Sequence, residues 1–152
     1  MTRKAGAAPE FSRPLPIDRV PRKGSHEFVE AEPEERDRLA RRFNIPTLHS
    51  FSARFFVVPW RGGGVKVTGT VEADLDQVSV VSVETFRQKE KFEVIRFFVP
   101  EGIADDAGED DADPISNGEV DLGEIAAETL GLELDPYPRK PGEVFDENLP
   151  KN

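Results

Sequence analysis

His26 and His49 are the only imidazoles in this 152-residue chain, and cysteine is absent. Serine catalysis needs a histidine and a carboxylate beside a hydroxyl on a rigid strand-to-helix turn. No Gly-x-Ser-x-Gly elbow occurs here, and the two histidines fall in different segments, so both read as surface or packing residues. The lack of cysteine excludes disulfides, zinc–thiolate sites and thiol nucleophiles. Gly62, Gly63 and Gly64 have no Gly-Lys after them to make a phosphate loop, and read as a hairpin tip. Asp105, Asp106, Glu109, Asp110, Asp111 and Asp113 supply carboxylates for a divalent cation. They lack the ligand spacing and turn glycine of a calcium-binding loop, and read as a solvated run. The expectation is therefore a protein without catalytic residues, metal or cofactor. A hydrolase using His49 is the reading that a deep polar pocket around it would favour.

Residues suited to gripping a partner are easier to find. Protein interfaces anchor on Trp, Tyr and Arg. Trp60 and Arg61 beside the glycine turn fit that role, as do Tyr137, Arg139 and Lys140. Glu124 and Glu128 add acidic contacts from a late helix. In the competing reading Trp60 caps the core and Tyr137 packs on the last helix.

Several elements must position these side chains. Residues 10–20 carry Phe11, Leu15 and Ile17 between Pro14 and Pro16, which reads as an edge strand or extended arm. Residues 21–25 form a turn, and 26–31 a short partner strand around Phe28. Residues 33–44 form a helix with proline in its first turn, Leu39, Ala40 and Phe43 on one face, and Glu34–Arg38 and Asp37–Arg41 at favourable spacing. Phe51, Ala53, Phe55 and Val57 then alternate. Beyond the glycine turn Val65, Val67, Val71, Ala73 and Leu75 face one way, with Lys66, Thr68, Thr70, Glu72 and Asp74 opposite. Two more strands are expected at 78–86 and 92–99. The second is apolar on both faces, so it should be central or covered by a helix. Residues 101–118 read as a mobile acidic loop. Asp121 and Glu124 have capping-box spacing, Leu122, Ile125, Ala126, Thr129 and Leu130 share a helical face, and Gly131 suits the residue after the helix end. Asp135-Pro-Tyr-Pro-Arg139 is an extended, proline-stiffened segment. The sum is an α+β fold: a mainly antiparallel sheet of five or six strands with two helices packed against it, its closure into a partial barrel left open. One domain spans 10–142, with a flexible basic arm at 1–9 and a flexible tail at 143–152.

Charge narrows the partners. The chain carries a net charge of −10, distributed as +4 over residues 1–23, −1 over 24–100 and −13 over 101–152. An acidic carboxyl-terminal third repels a polyanion and attracts a basic protein. No run approaches the roughly 18 apolar residues of a membrane helix, and the start lacks the apolar core of a secretory signal, so a cytoplasmic protein with no membrane contact is expected.

Two stretches resemble the YceD family, the large ribosomal RNA subunit accumulation proteins. One runs from Asp121-Leu-Gly-Glu-Ile-Ala-Ala-Glu-Thr-Leu130 to Asp135-Pro-Tyr-Pro-Arg139, similar to the family's late acidic helix and proline-containing segment. The other is Ser79-Val-Val-Ser82-Val-Glu84-Thr85, where many members carry C-x-R-C-L-E-P. Residues 11–18 and the turn Trp60-Arg-Gly-Gly-Gly64 fit as well, so the likeness covers about residues 10–142. Serines at cysteine spacing are poor zinc ligands, which leaves that stretch a packing or interface role. The resemblance implies a non-enzymatic part in accumulation or processing of large-subunit ribosomal RNA and in ribosome assembly. With the charge distribution, it implies a monomer whose acidic third meets basic ribosomal or RNA-processing proteins. The rival is direct RNA binding by the basic arm (Arg3, Lys4, Arg13, Arg19, Arg22, Lys23), together with Arg61 and Lys66.

Overall fold

The computed structural model describes residues 9–101 and 112–143. Strand β1 (Pro14–Pro16) is followed by a turn of 3-10 helix, β2 (Ser25–Glu30), α1 (Pro33–Phe43), β3 (Thr47–Trp60) and β4 (Gly64–Val78). Then come β5 (Thr85–Pro100), β6 (Asp113–Ile115), β7 (Glu119–Asp121) and α2 (Leu122–Glu133). The main sheet has the order β2-β3-β4-β5-β6 and is open, not closed into a barrel. Its first four strands are antiparallel and β6 runs parallel to β5. β1 and β7 pair separately as a two-stranded ribbon. The partner of β2 is thus β3, not the amino-terminal segment that precedes it.

Period-two patterning builds the sheet. Leu48, Phe51, Ala53, Phe55 and Val57 of β3, and Val65, Val67, Val71, Ala73 and Leu75 of β4, all lie in one buried cluster. A bulge between Leu48 and Ser50 resets the alternation at the start of β3. The two strands meet in a turn at Arg61–Gly63, where Gly62 and Gly63 take φ of 67° and 86°, a region that side chains disfavour.

Both helices cover the inner face. α1 begins with Pro33 after Glu32, whose backbone N–H donates to Glu35 Oε1 at 2.7 Å, and ends at Asn44 in a left-handed conformation. It buries Leu39 and Ala40, with Phe43 partly buried against the core. α2 is capped by Asp121, which accepts the N–H of Glu124 at 3.1 Å. Its expected face is buried, and Ala127 joins it.

Three expectations need correction. Residues 78–86 are not a strand. β4 ends at Val78, and the chain turns through residues 79–84 before β5 starts at Thr85. Local hydrogen bonding outcompetes the β pattern there: Ser79 Oγ accepts the N–H groups of Val81 (3.0 Å) and Ser82 (3.2 Å), and Val83 sits at φ 63°. Gly131 does not end α2, which continues to Glu133. It lies against the Phe43 ring, where a Cβ would come within 2.7 Å of a ring carbon, so small size is what this position needs. Finally, the stretch 101–118 is not one loop. Ile115 is a buried anchor that lets Asp113–Ile115 pair with β5, and residues 102–111 lie outside the described ones. The expected arm and tail also fall outside them, apart from residues 9 and 143.

The amino-terminal segment is stitched to both helices by Arg13. Its guanidinium makes a bidentate pair with Glu35, both contacts at 2.8 Å, and also reaches the carbonyls of Ser12 and Glu30. Its backbone N–H donates to Asp121 Oδ1 at 2.7 Å, while its carbonyl accepts Leu122 N–H.

Candidate functional site

The seven residues singled out from the sequence fall in three places. Trp60 and Arg61 stand at the β3–β4 turn on the outer face of the sheet. Trp60 does not cap the core. Its ring meets Phe97 of β5 at 4.6 Å between centroids, and the Arg61 guanidinium lies 4.4 Å from the Trp60 ring centre.

Glu124 and Glu128 project from one turn of α2 toward the inner-face side of β5. Arg96 of β5 holds Glu128 at 3.1 Å and Asp113 of β6 at 2.7 Å. Arg42 of α1 reaches Glu124 at 3.6 Å and Glu10 at 3.0 Å. An open groove of about 410 Å³ runs beside α2, and Asp113, Glu119, Asp121, Glu124 and Glu128 all line it with Arg96 as the lining cation. Burial holds the Glu124 carboxyl above its ordinary value, and the neighbouring Glu128 adds to that while Arg42 opposes it. Burial works against the charge of Arg96, but Asp113 and Glu128 outweigh it and raise its pKa. This wall of the molecule is therefore short of positive charge.

Tyr137, Arg139 and Lys140 lie in the segment after α2, which crosses the 79–84 turn. Val80 N–H donates to Pro138 O at 2.8 Å, Lys140 Nζ pairs with Glu84 at 2.5 Å, and Ser79 Oγ donates to Glu143 at 2.5 Å. The hydrogen bond from Ser79 holds the Glu143 carboxyl below its ordinary value. Tyr137 does not pack on α2; it is 68% exposed, with its backbone N–H on Asp135.

Apart from Trp60, Arg61 and the Arg42–Glu10 pair, these features fall in the part of the chain that a known family describes. The model for the Large ribosomal RNA subunit accumulation protein YceD matches residues 67–152, more than half of the chain. The chain belongs to the YceD family. No curated protein and no solved structure matches it. The family description supports a role in accumulation of large-subunit ribosomal RNA. The match covers β4, β5, the groove and the segment crossing the 79–84 turn, and it leaves out the first 66 residues, where the basic arm lies.

In this YceD-family chain the serines at cysteine spacing have a local task. Ser79 is fully buried, closes the turn with its hydroxyl oxygen and donates a hydrogen bond to Glu143. Three groove residues escaped the sequence reading: Arg96, Asp113 and Glu119. Arg96 was legible as a lone cation in the apolar run 92–99. The other two sat in or beside the stretch read as loop. His49 pairs with Asp76 across β3–β4 at 2.9 Å, and His26 stacks on Phe56 at 4.7 Å. Among the described residues, no helix is long and apolar enough to cross a membrane.

Proposed function

We propose that this chain supports accumulation or processing of large-subunit ribosomal RNA, and ribosome assembly, without catalysing a reaction. It acts in the cytoplasm as a monomer, through protein–protein contacts of its acidic carboxyl-terminal third. The groove beside α2 carries the reading: five carboxylates and one guanidinium line it, and burial already holds Glu124 above its ordinary pKa. A lysine or arginine from a basic ribosomal protein or assembly factor, entering beside Glu119 and Glu128, offsets that burial cost and the smaller repulsion from Glu128. The net charge of −13 over residues 101–152 attracts such a partner at low ionic strength.

Affinity purification of the tagged chain, with nuclease present throughout, tests this. Ribosomal or RNA-processing proteins are expected to co-purify, and Glu119→Gln with Glu128→Gln to lower their yield several-fold. Recovery unchanged in that variant removes the groove from the account.

A further inference from the structure

The outer face of the main sheet carries no helix among the described residues, because both helices pack on the inner one. Strand register gathers aromatic rings on one half of it. His26 stands opposite Phe56, Phe28 opposite Arg54, and Lys66 opposite Phe97. Each ring has a cationic or imidazole neighbour. Arg54 lies 4.9 Å from the Phe28 centroid, Lys66 5.9 Å from that of Phe97, and Arg61 covers Trp60. Phe28 is 53% and Ile95 63% exposed, so core packing does not account for them.

The charge of this half departs from the rest of the molecule. Among the described residues, Arg54 and Lys66 share it with one carboxylate, Glu93, which pairs with Thr70. Arg22 and Lys23, both exposed, border it: the next residue, Gly24, lies so close under Phe56 that a Cβ there would sit 2.3 Å from the ring. Glu30, opposite Ser52, stands at the border, and Glu72, Asp74 and Asp76 occupy the far half of the face, opposed across β4–β5 by Lys91, Lys89 and Arg87.

We infer that this aromatic half is a docking surface for single-stranded RNA. Unpaired bases stack on accessible rings, here the exposed Phe28 beside the half-buried Phe56, Trp60 and Phe97, and flanking cations neutralise phosphates. Lysine is depleted in protein interfaces, so Lys66 over the Phe97 ring suits a phosphate better than a protein partner. Duplex RNA is read by shape across a minor groove, which a flat aromatic surface does not address. The site differs from the basic arm expected from sequence, because Arg13 is committed to Glu35. It also lies on the opposite side of the sheet from the acidic groove, so either can fail without the other.

Trp60 is the sole tryptophan and lies inside the patch, so its emission reports on stacking. The probe is a labelled, mixed-sequence oligoribonucleotide of about 12 residues, titrated into the full chain at several salt concentrations. Expected are a rise in anisotropy, quenching of Trp60, and a log-log salt slope of roughly −0.7 per phosphate neutralised. Phe28→Ala should weaken binding by about tenfold. Arg54→Gln with Lys66→Gln should weaken it similarly and flatten the slope by about one to two. Both variants should unfold at the wild-type temperature and still recover the groove's protein partners. The inference is overturned by absence of binding at low salt, or by a duplex bound as tightly as the single strand. Binding that ignores these substitutions but vanishes when residues 1–8 are removed overturns it too. So does nuclease-resistant loss of a protein partner from the Arg54/Lys66 variant.

Discussion

Arg13 shows how a side chain's role depends on what folds beside it. In sequence it is one of six cations in the first 23 residues, a natural phosphate contact. In the structure it joins the amino-terminal segment to α1 through Glu35 and, by its backbone N–H, to α2 through Asp121, contacts 22 and 108 residues apart in sequence. Arg13→Gln is expected to lower stability by about 2 kcal/mol, the contribution typical of a half-buried bidentate pair, as measured by urea unfolding at neutral pH. The pair also sets an acid limb. Glu35 is held below its ordinary value of 4.5 by the hydrogen bond from Arg13. Its stabilisation is thus present above 4.5 and disappears as pH falls through the depressed value. The wild type should lose stability more steeply than Arg13→Gln below about pH 4.5, and parallel curves would remove Glu35 as the cause. Ser79 makes a similar point. Its spacing from Ser82 pointed to a vanished thiol pair, yet its hydroxyl accepts two backbone N–H groups and donates to Glu143. Ser79→Ala should lower stability by about 1 kcal/mol, since it removes the hydroxyl's hydrogen bonds to Val81, Ser82 and Glu143.

At the scale of elements, the pieces with a clean period were legible and those closed by local hydrogen bonds were not. The alternation in β3 and β4, the buried face of α2 and the proline start of α1 all follow from hydrophobic spacing. The 79–84 turn carries valines at 80, 81 and 83 that look like strand residues, but the serine between β4 and β5 folds them outward. Likewise Phe97 and Ile95 made 92–99 apolar on both faces, which suggested a buried strand. α2 does pack on one side of it, while the other side meets Trp60 and leaves Ile95 open. That second apolar face was the available signal for the aromatic patch, and only register shows that it lines up with Phe56 and Lys66. Gly131 gives a test of helix packing. Gly131→Ala gains about 1 kcal/mol of helix propensity but drives a methyl into Phe43, an overpacking cost of about 1–3 kcal/mol. The variant should be less stable than the wild type. Adding Phe43→Leu should offset part of the loss, with a coupling measurable in a double-mutant cycle.

At the scale of the whole molecule, the described residues divide their charge between faces. The groove beside α2 gathers carboxylates from β6, β7 and α2, while the outer face of the sheet pairs rings with cations. Composition alone reported one acidic protein with a basic start. Folding sorts the cations: Arg13, Arg42 and Arg96 turn inward to carboxylates, and Arg54 and Lys66 are displayed on the sheet. On the proposed reading, the chain supports ribosomal RNA accumulation by reaching a basic protein through the groove and holding an assembly intermediate together. The most direct test is the ratio of large- to small-subunit ribosomal RNA in cells lacking this chain, complemented by the wild type or by Glu119→Gln with Glu128→Gln at equal protein level. The ratio is predicted to fall on deletion, to recover with the wild type and to stay low with the groove variant. A normal ratio in the deletion itself would contradict the account.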